Sequence, residues 1–266
     1  MNRLQTILSR IEKCETLADI GTDHAYLPIE AVRAGLCERA IACDIVAGPL
    51  HIAKKNIRAA QLEHKIDVRL GDGLRPLREN EADCIVIAGM GGMNIIEIFC
   101  GGFAPGAVLP SASLLSEPPR TFLENAETSQ NEVSDKSFEG GSGETFSKVS
   151  PEKIPEKNPK KIKFILQPQH DLEELRRFLI ANGYKINETL ARERSRFYVV
   201  VDAQKSCENS DRWTDRDFFL GKIDDKNYFR ALREKIEKYF DSLTEKNSRD
   251  AAQKKLEWLE EKIHDR

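Results

Sequence analysis

The sequence lacks the features that mark secreted, membrane-spanning and zinc-binding proteins. It contains no run of roughly 18 or more apolar residues, and its N-terminus has no hydrophobic segment of the kind that a secretory signal requires. Its six cysteines are scattered, with no Cys-x-x-Cys pair and no zinc-ligand spacing. We therefore expect reduced thiols, no membrane contact, no metal and a cytoplasmic location, with Cys43 and Cys84 packed in buried strands.

Charge of one sign is not in excess either. The chain of 266 residues carries 41 basic and 44 acidic side chains, a formal net charge of −3. This balance provides no global attraction to nucleic acid, so any RNA contact must come from a local basic face. Hydrophobic residues make up 40% and charged residues 32% of the chain. Such a composition and length suit one large α/β domain with an appendage.

The glycine-rich fingerprint of dinucleotide-binding enzymes is missing from the first strand–turn–helix unit. Residues 17–20 form an apolar run interrupted by Asp19, Gly21 follows, and a helical pattern begins near residue 25. The second and third glycines of Gly-x-Gly-x-x-Gly are replaced by Asp23 and Tyr26. A carboxylate here repels a pyrophosphate but suits a cationic amine such as that of S-adenosylmethionine. The alternative is an ordinary turn in which Asp23 or Thr22 caps the helix.

Two further acidic residues follow predicted strands. Residues 40–44 form the second strand, which ends in Asp44, and residues 66–70 form the third, which runs into Asp72 between two glycines. An acid after the second strand accepts hydrogen bonds from ribose hydroxyls in nucleoside-binding sheets. Asp72 suits a hydrogen bond from an adenine amino group. An exposed loop acid and a plain Gly-Asp-Gly turn are the alternatives.

The fourth predicted strand, residues 82–88, is almost continuously apolar and therefore buried on both faces. It ends in Gly89-Met90-Gly91-Gly92, and three glycines in four residues indicate a tight geometry or a close approach. This loop borders the same crevice as the acidic turns and could cradle a planar base. A flexible connection is the alternative.

Beyond this loop, residues 101–160 have little periodicity and are rich in Gly, Ser, Pro, Glu and Lys. We expect a long, mostly disordered insertion, with an ordered lid as the alternative. A fifth strand at 162–166, a helix capped by Asp171 and two antiparallel strands at 184–190 and 197–201 complete the predicted sheet. The sequence thus predicts an α/β fold with a doubly wound, seven-stranded, Rossmann-like methyltransferase sheet.

The C-terminal part has a different pattern. Apolar residues recur at helical spacing in 227–243 and 250–264, with a turn expected at Asn247 and Ser248. This pattern predicts a coiled-coil-like helical hairpin. We divide the chain into a methyltransferase domain at 1–205 and the hairpin at 212–266. The hairpin is either a solvated pair with an apolar seam or an arm that grips a large substrate or a second subunit, as in a homodimer.

Four stretches together resemble the bacterial tRNA (adenine-N1)-methyltransferase family that modifies adenosine 22. They are residues 18–28, 71–74, 87–92 and 165–168, which read ADIGTDHAYLP, GDGL, IAGMGG and ILQP. The resemblance covers roughly 3–100 and 161–202, and the hairpin suits the family's C-terminal coiled coil. It implies S-adenosylmethionine as cofactor and tRNA as partner. The implied cofactor-binding residues are Asp19, Gly21, Thr22, Asp23, His24, Tyr26, Asp44, Ile45, Asp72, Gly73, Ala88 and Gly89.

The chain departs from the family pattern at three places. Gln169 follows Gln-Pro where the family usually has Asn, and Arg194-Ser195-Arg196 replaces an expected acidic stretch before the last strand. The insertion at 101–160 is also far longer than the family's connection.

The implied reaction needs no general base, because adenine N1 carries a free lone pair at neutral pH. We expect catalysis by positioning, with Asp23, Gly89, Met90 and Gly91 as the catalytic group and His24 as a packing residue. The rivals are a methyltransferase for a small molecule or protein, and a non-catalytic cofactor-binding scaffold. A nicotinamide-linked dehydrogenase is the least supported, since its glycine fingerprint is missing.

Overall fold

The computed structural model describes residues 1–103, 161–206 and 212–265. Within them, seven strands form one sheet in the order β3-β2-β1-β4-β5-β7-β6. Strands β1 to β5 are parallel, and β7 runs antiparallel to both β5 and β6. The predicted fold class is confirmed. The strands are β1 Cys14–Ile20, β2 Cys37–Asp44, β3 Ile66–Leu70, β4 Cys84–Met90, β5 Lys163–Pro168, β6 Tyr184–Glu193 and β7 Arg196–Lys205.

Eight helices accompany the sheet in the described residues. They are α1 Arg3–Arg10, α2 Tyr26–Arg33, α3 Ala47–Ala59, α4 Gly92–Gly101, α5 Leu172–Ala181, α6 Asp215–Leu220, α7 Lys226–Phe240 and α8 Lys246–His264. The predicted turn at Asn247 and Ser248 is wrong, because both residues lie in the first turn of α8 and the connection occupies residues 241–245. Helix α6 was not predicted. From residue 104 to 160, the expected insertion lies outside the described residues.

The sheet is covered on both faces, which explains its nearly continuous apolar strands. Helices α1, α2 and α3 pack on one face, where Leu17, Val86 and Ile165 are buried. Helices α4 and α5 pack on the other face together with α7 and α8, whose Phe229 and Leu259 are fully buried. The base of the C-terminal hairpin is therefore part of the same core as the sheet.

A buried ion pair joins the C-terminal helices to the sheet. Arg176 on α5 and Glu188 on β6 are 2.7 Å apart, with side chains 1% and 0% exposed. Nη1 of Arg176 also donates to the carbonyl oxygens of Phe218 (2.9 Å) and Phe219 (2.7 Å) near the end of α6. Oε2 of Glu188 accepts from the backbone N–H of Lys222 at 2.7 Å. These bonds satisfy carbonyls that a helix end leaves unpaired and fix the path of the chain into α7.

The predicted side-chain caps of α2 and α5 are wrong. Helix α2 begins after Ala25, with no side-chain cap, because Thr22 and Asp23 have other partners. Asp171 does stand at the N-cap of α5, but its φ is +55° and its carboxylate contacts His170 at 2.6 Å. In each case a nearby polar side chain competes successfully with the helix terminus.

Candidate active site

A cavity of about 850 Å³ lies at the carboxyl ends of the parallel strands, between the start of α1 and helix α4. All the residues that the resemblance assigned to the cofactor line it: Asp19, Gly21, Thr22, Asp23, His24, Tyr26, Asp44, Ile45, Asp72, Gly73, Ala88 and Gly89. Of the predicted catalytic group, Asp23, Gly89 and Met90 also line the cavity, whereas Gly91 does not. Parallel topology explains this convergence, because successive strands deliver their ends to one edge of the sheet.

Asp19 provides a buried carboxylate at the end of β1. It is 5% exposed, and its Oδ2 accepts a hydrogen bond from the Thr22 hydroxyl at 2.7 Å. Burial raises the pKa of Asp19 to about 6, and the neighbouring charge of Asp44 adds to the shift, while the Thr22 hydrogen bond opposes it. The carboxylate is therefore short of compensating positive charge, which a cationic ligand would provide.

The turn after β1 is held in an unusual backbone conformation. Gly21 has a φ of +75°, and a Cβ on it would lie 2.6 Å from Cε of Met90. Asp23 also has a positive φ, of 51°, and its backbone N–H donates to Oδ2 of Asp44 at 3.2 Å. Glycine is required at position 21 on both conformational and steric grounds. The strained residue Asp23 faces the cavity, as strained residues at functional sites often do.

Asp23, His24 and Tyr26 form a small group at the cavity mouth. Nδ1 of His24 lies 2.7 Å from Oδ2 of Asp23, and the His24 ring stacks on Tyr26 at a centroid distance of 5.6 Å. Tyr26 is 61% exposed. His24 is thus oriented by one carboxylate and one ring, which agrees with the predicted packing role.

The two further strand-end acids differ in how firmly they are held. Asp44 accepts from the backbone N–H of Val46 at 2.9 Å with Oδ1, in addition to its bond from Asp23. Each of its oxygens keeps a lone pair for a ligand hydroxyl. Asp72 is more exposed and lies 3.6 Å from Nη1 of Arg75. Ile45 is 64% exposed at the edge of the cavity and offers an apolar surface.

The glycine-rich end of β4 packs against the loop after β5. A Cβ on Gly91 would overlap the His170 ring, and one on Gly92 would overlap the backbone carbonyl oxygen of Asp171. Gln169 closes the contact, since its backbone N–H donates to Met90 O at 2.9 Å and its Nε2 donates to Gly89 O at 2.8 Å. Gly91 and Gly92 therefore allow the loop after β5 to pack closely against the end of β4. Of the three glycines in this loop, only Gly89 lines the cavity.

The charge around the cavity is strongly asymmetric. Five carboxylates line it (Asp19, Asp23, Asp44, Asp72 and Glu97), against two arginines, Arg3 and Arg75. The excess of negative charge opposes a pyrophosphate and favours a cationic ligand. In the ranges that the structure describes, no group of three His, Cys, Asp or Glu residues is arranged to hold a metal ion. No helix there is long and apolar enough to cross a membrane.

Several lining residues were not predicted from the sequence. They are Arg3, Leu4 and Ile7 of α1, Asn94, Glu97 and Ile98 of α4, and Gln169. The helical periodicity predicted α1 but carried no information on where it docks. The position of Gln169 directly after the fifth strand was a usable signal, because strand ends of a parallel sheet converge on the ligand.

Comparisons with known proteins match both parts of the chain. A methyltransferase domain family matches residues 1–109, and the tRNA (adenine(22)-N(1))-methyltransferase family matches residues 151–266. The tRNA (adenine(22)-N(1))-methyltransferase of Bacillus subtilis is 46% identical over 100 residues, which are 38% of this chain and 42% of that protein. A putative tRNA methyltransferase of Mycoplasma pneumoniae is 27% identical over 222 residues, covering 82% of this chain and 78% of that protein.

A solved structure resembles the chain over its whole length. It is a putative tRNA (m1A22) methyltransferase of Streptococcus pneumoniae in complex with S-adenosyl-L-methionine. The TM-score is 0.70 and the sequence identity 25%, over 99% of this chain and 100% of that one. The aligned region of the B. subtilis relative, in contrast, spans less than half of that protein's length.

Proposed function

We propose that this chain, which is related to the tRNA (adenine(22)-N(1))-methyltransferase family, transfers a methyl group from S-adenosylmethionine to N1 of an adenosine in tRNA, at position 22. The observation that carries the proposal is the acidic cavity, in which Asp19, Asp44 and Asp72 lie at the carboxyl ends of three strands at one edge of the sheet. The family matches and the cofactor-bound relative support it.

The residues present fit this cofactor. The buried Asp19 carboxylate, whose pKa is raised by burial, suits the ammonium group, and the free lone pairs of Asp44 suit the ribose hydroxyls. Asp72 and Gly73, beside the exposed apolar side chain of Ile45, suit the adenine. Thr22, His24, Tyr26 and Ala88 complete this wall. When bound, the cofactor supplies an electrophilic methyl group.

The end of β4 is the proposed site for the acceptor base. Adenine N1 is already nucleophilic, so the protein has to expose the base and align it with the methyl group. The ring becomes positively charged as N1 is methylated. In this proposal, the charge is stabilised by the Asp23 carboxylate and by the Gly89 carbonyl, which keeps one lone pair beside its bond from Gln169. Met90 packs under Gly21, and we assign Gly91 to packing against His170 instead of catalysis.

The C-terminal helices are the proposed arm for the large substrate. Helices α7 and α8 pack on each other and, through Phe229 and Leu259, on the core of the methyltransferase domain. A homodimer through this hairpin is a second hypothesis for the same surface. Light scattering after gel filtration separates the two, because a particle of monomer mass at assay concentration refutes the dimer.

The proposed reaction is tested by methyl transfer from labelled S-adenosylmethionine to unmodified tRNA transcripts, with reverse-transcription stops mapping the modified base. We expect one stop at adenosine 22 and none in a transcript that carries guanosine there. Transfer to protein or to small molecules in place of RNA would favour the first rival. Tight cofactor binding without transfer to any pool would favour a scaffold.

A further inference from the structure

Arg3 is the cavity-lining arginine that has no carboxylate partner among the described residues. Its guanidinium lies 5.7 Å above the centre of the Tyr198 ring. Its Nη1 is 3.8 Å from the point where a Cβ on Gly89 would stand, next to Nε2 of Gln169 at 3.9 Å. Over 1–103, 161–206 and 212–265, no Asp or Glu oxygen lies within 4.0 Å of this guanidinium, whereas Arg75 contacts Asp72. Arg3 therefore places uncompensated positive charge at the acceptor end of an otherwise acidic cavity.

Three more arginines continue from Arg3 onto the turn between β6 and β7. The backbone N–H of Arg192 donates to the Met1 carbonyl at 3.3 Å, so the start of α1 lies against this turn. Because β7 is antiparallel to β5, the turn stands at the same end of the sheet as Pro168 and the cavity. Arg192, Arg194 and Arg196 are exposed, and none has an ion pair with a described residue.

The conformation of the turn is defined by a cation–π contact and a positive φ. Arg192 lies with its guanidinium 5.4 Å from the centre of the Phe197 ring, and Arg194 has a φ of +54°. Glu193 is the one acidic residue from 192 to 196. The turn thus carries three exposed guanidinium groups against one carboxylate, and this local excess of positive charge would attract a polyanion. We call Arg3, Arg192, Arg194 and Arg196 the arginine track.

We propose that the arginine track binds successive phosphates of the RNA strand that carries the methyl-acceptor base. This inference rests on the proposed function and specifies the surface over which the RNA enters. Arginine suits this role because its planar donors pair with phosphate oxygens in a bidentate manner. The chemistry also places Arg3 on a phosphate instead of the base, since a guanidinium against the base would oppose the positive charge that the ring gains.

The main test measures RNA affinity as a function of salt concentration, using the unmodified tRNA transcript and the full chain. Each lost contact with a single-stranded phosphate lowers the slope of log affinity against log salt by about 0.7. The triple variant R192Q/R194Q/R196Q should therefore lose about 2 from the slope. Its affinity deficit relative to the wild type should shrink about 16-fold between 50 and 200 mM salt.

A matched triple variant controls for overall charge. Lys54, Lys55 and Arg58 are exposed on α3, beside β3 at the opposite edge of the sheet. The variant K54Q/K55Q/R58Q removes the same charge and should leave the slope within about 0.3 of the wild type. The triple R192K/R194K/R196K keeps the charges and should keep the slope, which excludes a misfolded turn as the cause.

Arg3 is tested singly, because it also packs on Tyr198. The R3M variant should raise the KM for tRNA about tenfold and lower the salt slope by about 0.7, with R3K restoring the slope. Affinity for S-adenosylhomocysteine, measured by calorimetry, should not change. R33M, at the far end of α2, is the matched control and should match the wild type.

The outcomes separate this inference from the proposed function. Equal slope losses in the two triple variants, or none in the arginine triple, would overturn the arginine track even if methyl transfer is normal. Absence of methyl transfer to any tRNA would refute the proposed function. The salt titration measures binding alone, so it would still show whether the arginine track binds RNA. A wild type with no measurable RNA affinity overturns both.

Discussion

Asp19→Asn should stabilise the ligand-free protein while weakening its cofactor binding. The carboxylate is 5% exposed, and its one hydrogen bond within the described residues comes from Thr22 at 2.7 Å. Burial raises its pKa to about 6 from 3.8, which means that the folded state disfavours the charged form. Asparagine has nearly the same shape and can still accept the Thr22 hydrogen bond, so the substitution mainly removes the buried charge.

The magnitude follows from the size of the shift. Each pKa unit corresponds to about 1.4 kcal/mol, so a shift of about two units corresponds to roughly 3 kcal/mol at neutral pH. The new amide N–H groups lack a known acceptor, which costs about 1 kcal/mol in return. We expect a net gain of about 2 kcal/mol, or a rise in Tm of about 4–8 °C for a chain of this size.

The effect should depend on pH in a defined direction. Because the folded-state pKa is raised, the wild type binds more protons when folded than when unfolded between pH 4 and 6. Its stability relative to Asp19→Asn therefore falls as the pH rises through that window and is constant above about pH 7. Near pH 4 the charge penalty is small and the amide cost remains, so Asp19→Asn should unfold at the same or a slightly lower urea concentration than the wild type.

Ligand binding provides the second half of the test. A cationic ligand pairs with the charged carboxylate, so the wild type should gain more stability from added S-adenosylhomocysteine than Asp19→Asn does. The ligand affinity of the variant should fall about 10- to 100-fold, equivalent to roughly 1.4–3 kcal/mol. A variant whose stability advantage is absent, or is the same at pH 4 and pH 8, would refute the assignment of a desolvated charge at Asp19.

Three other predictions concern packing and the cofactor. Gly92→Ala should lower the free energy of unfolding, measured with urea, by at least about 2 kcal/mol, because the new Cβ overlaps a backbone carbonyl. Gly48→Ala is the control: it lies in open space on α3 and should be neutral or stabilising by about 0.5 kcal/mol. Arg176→Met should cost about 3–5 kcal/mol by leaving Glu188 buried without its partner, and adding Glu188→Leu should recover part of that loss. Asp44→Ala should weaken S-adenosylhomocysteine binding about tenfold or more by calorimetry, and unchanged affinity would remove Asp44 from the site.

The resemblance to the tRNA methyltransferase family, stated from four short motifs, is supported by that family's match to residues 151–266 and by a methyltransferase domain match to residues 1–109. The sheet was also predictable, and for a physical reason. Apolar runs that stop at Gly or an acid mark strand ends, and parallel topology places those ends at one edge. The grouping of Asp19, Asp44 and Asp72 around one cavity therefore followed from their order in the sequence. Their roles toward the cofactor remain predictions.

The predictions that failed concerned the partners of single side chains. A residue before a helix predicts a cap when only local contacts are considered. Thr22 instead donates to Asp19, and Asp23 and Asp171 each contact a histidine next to them in the chain. The position of the helix was right each time, because periodicity determines it. The hydrogen-bond partner was not, because several partners of similar energy were within reach.

The glycine-rich end of β4 shows that local sequence patterns also fail to identify partners that are distant in the chain. Three glycines in four residues indicate a close approach, which the structure confirms, but the sequence alone favours a ligand as the group that approaches. The structure places His170 and Asp171 against Gly91 and Gly92, residues that lie about 80 positions later in the chain. No local pattern encodes a contact between the ends of β4 and β5. It requires the sheet order, which places these two strands side by side.

The distribution of charge in the cavity predicts on which side each of the two proposed ligands binds. Four aspartates gather on the β1–β3 side, where a cation is favoured and a phosphate is repelled, and Arg3 stands alone at the end of β4. We therefore expect a nucleic acid strand to approach from the side of α1 and the β6–β7 turn. Because burial raises the pKa of Asp19, we expect its charge to cost stability in the ligand-free protein and to be offset when a cationic ligand binds. The two proposals together predict that a small cationic cofactor and a polyanionic substrate meet at Gly89 and Met90.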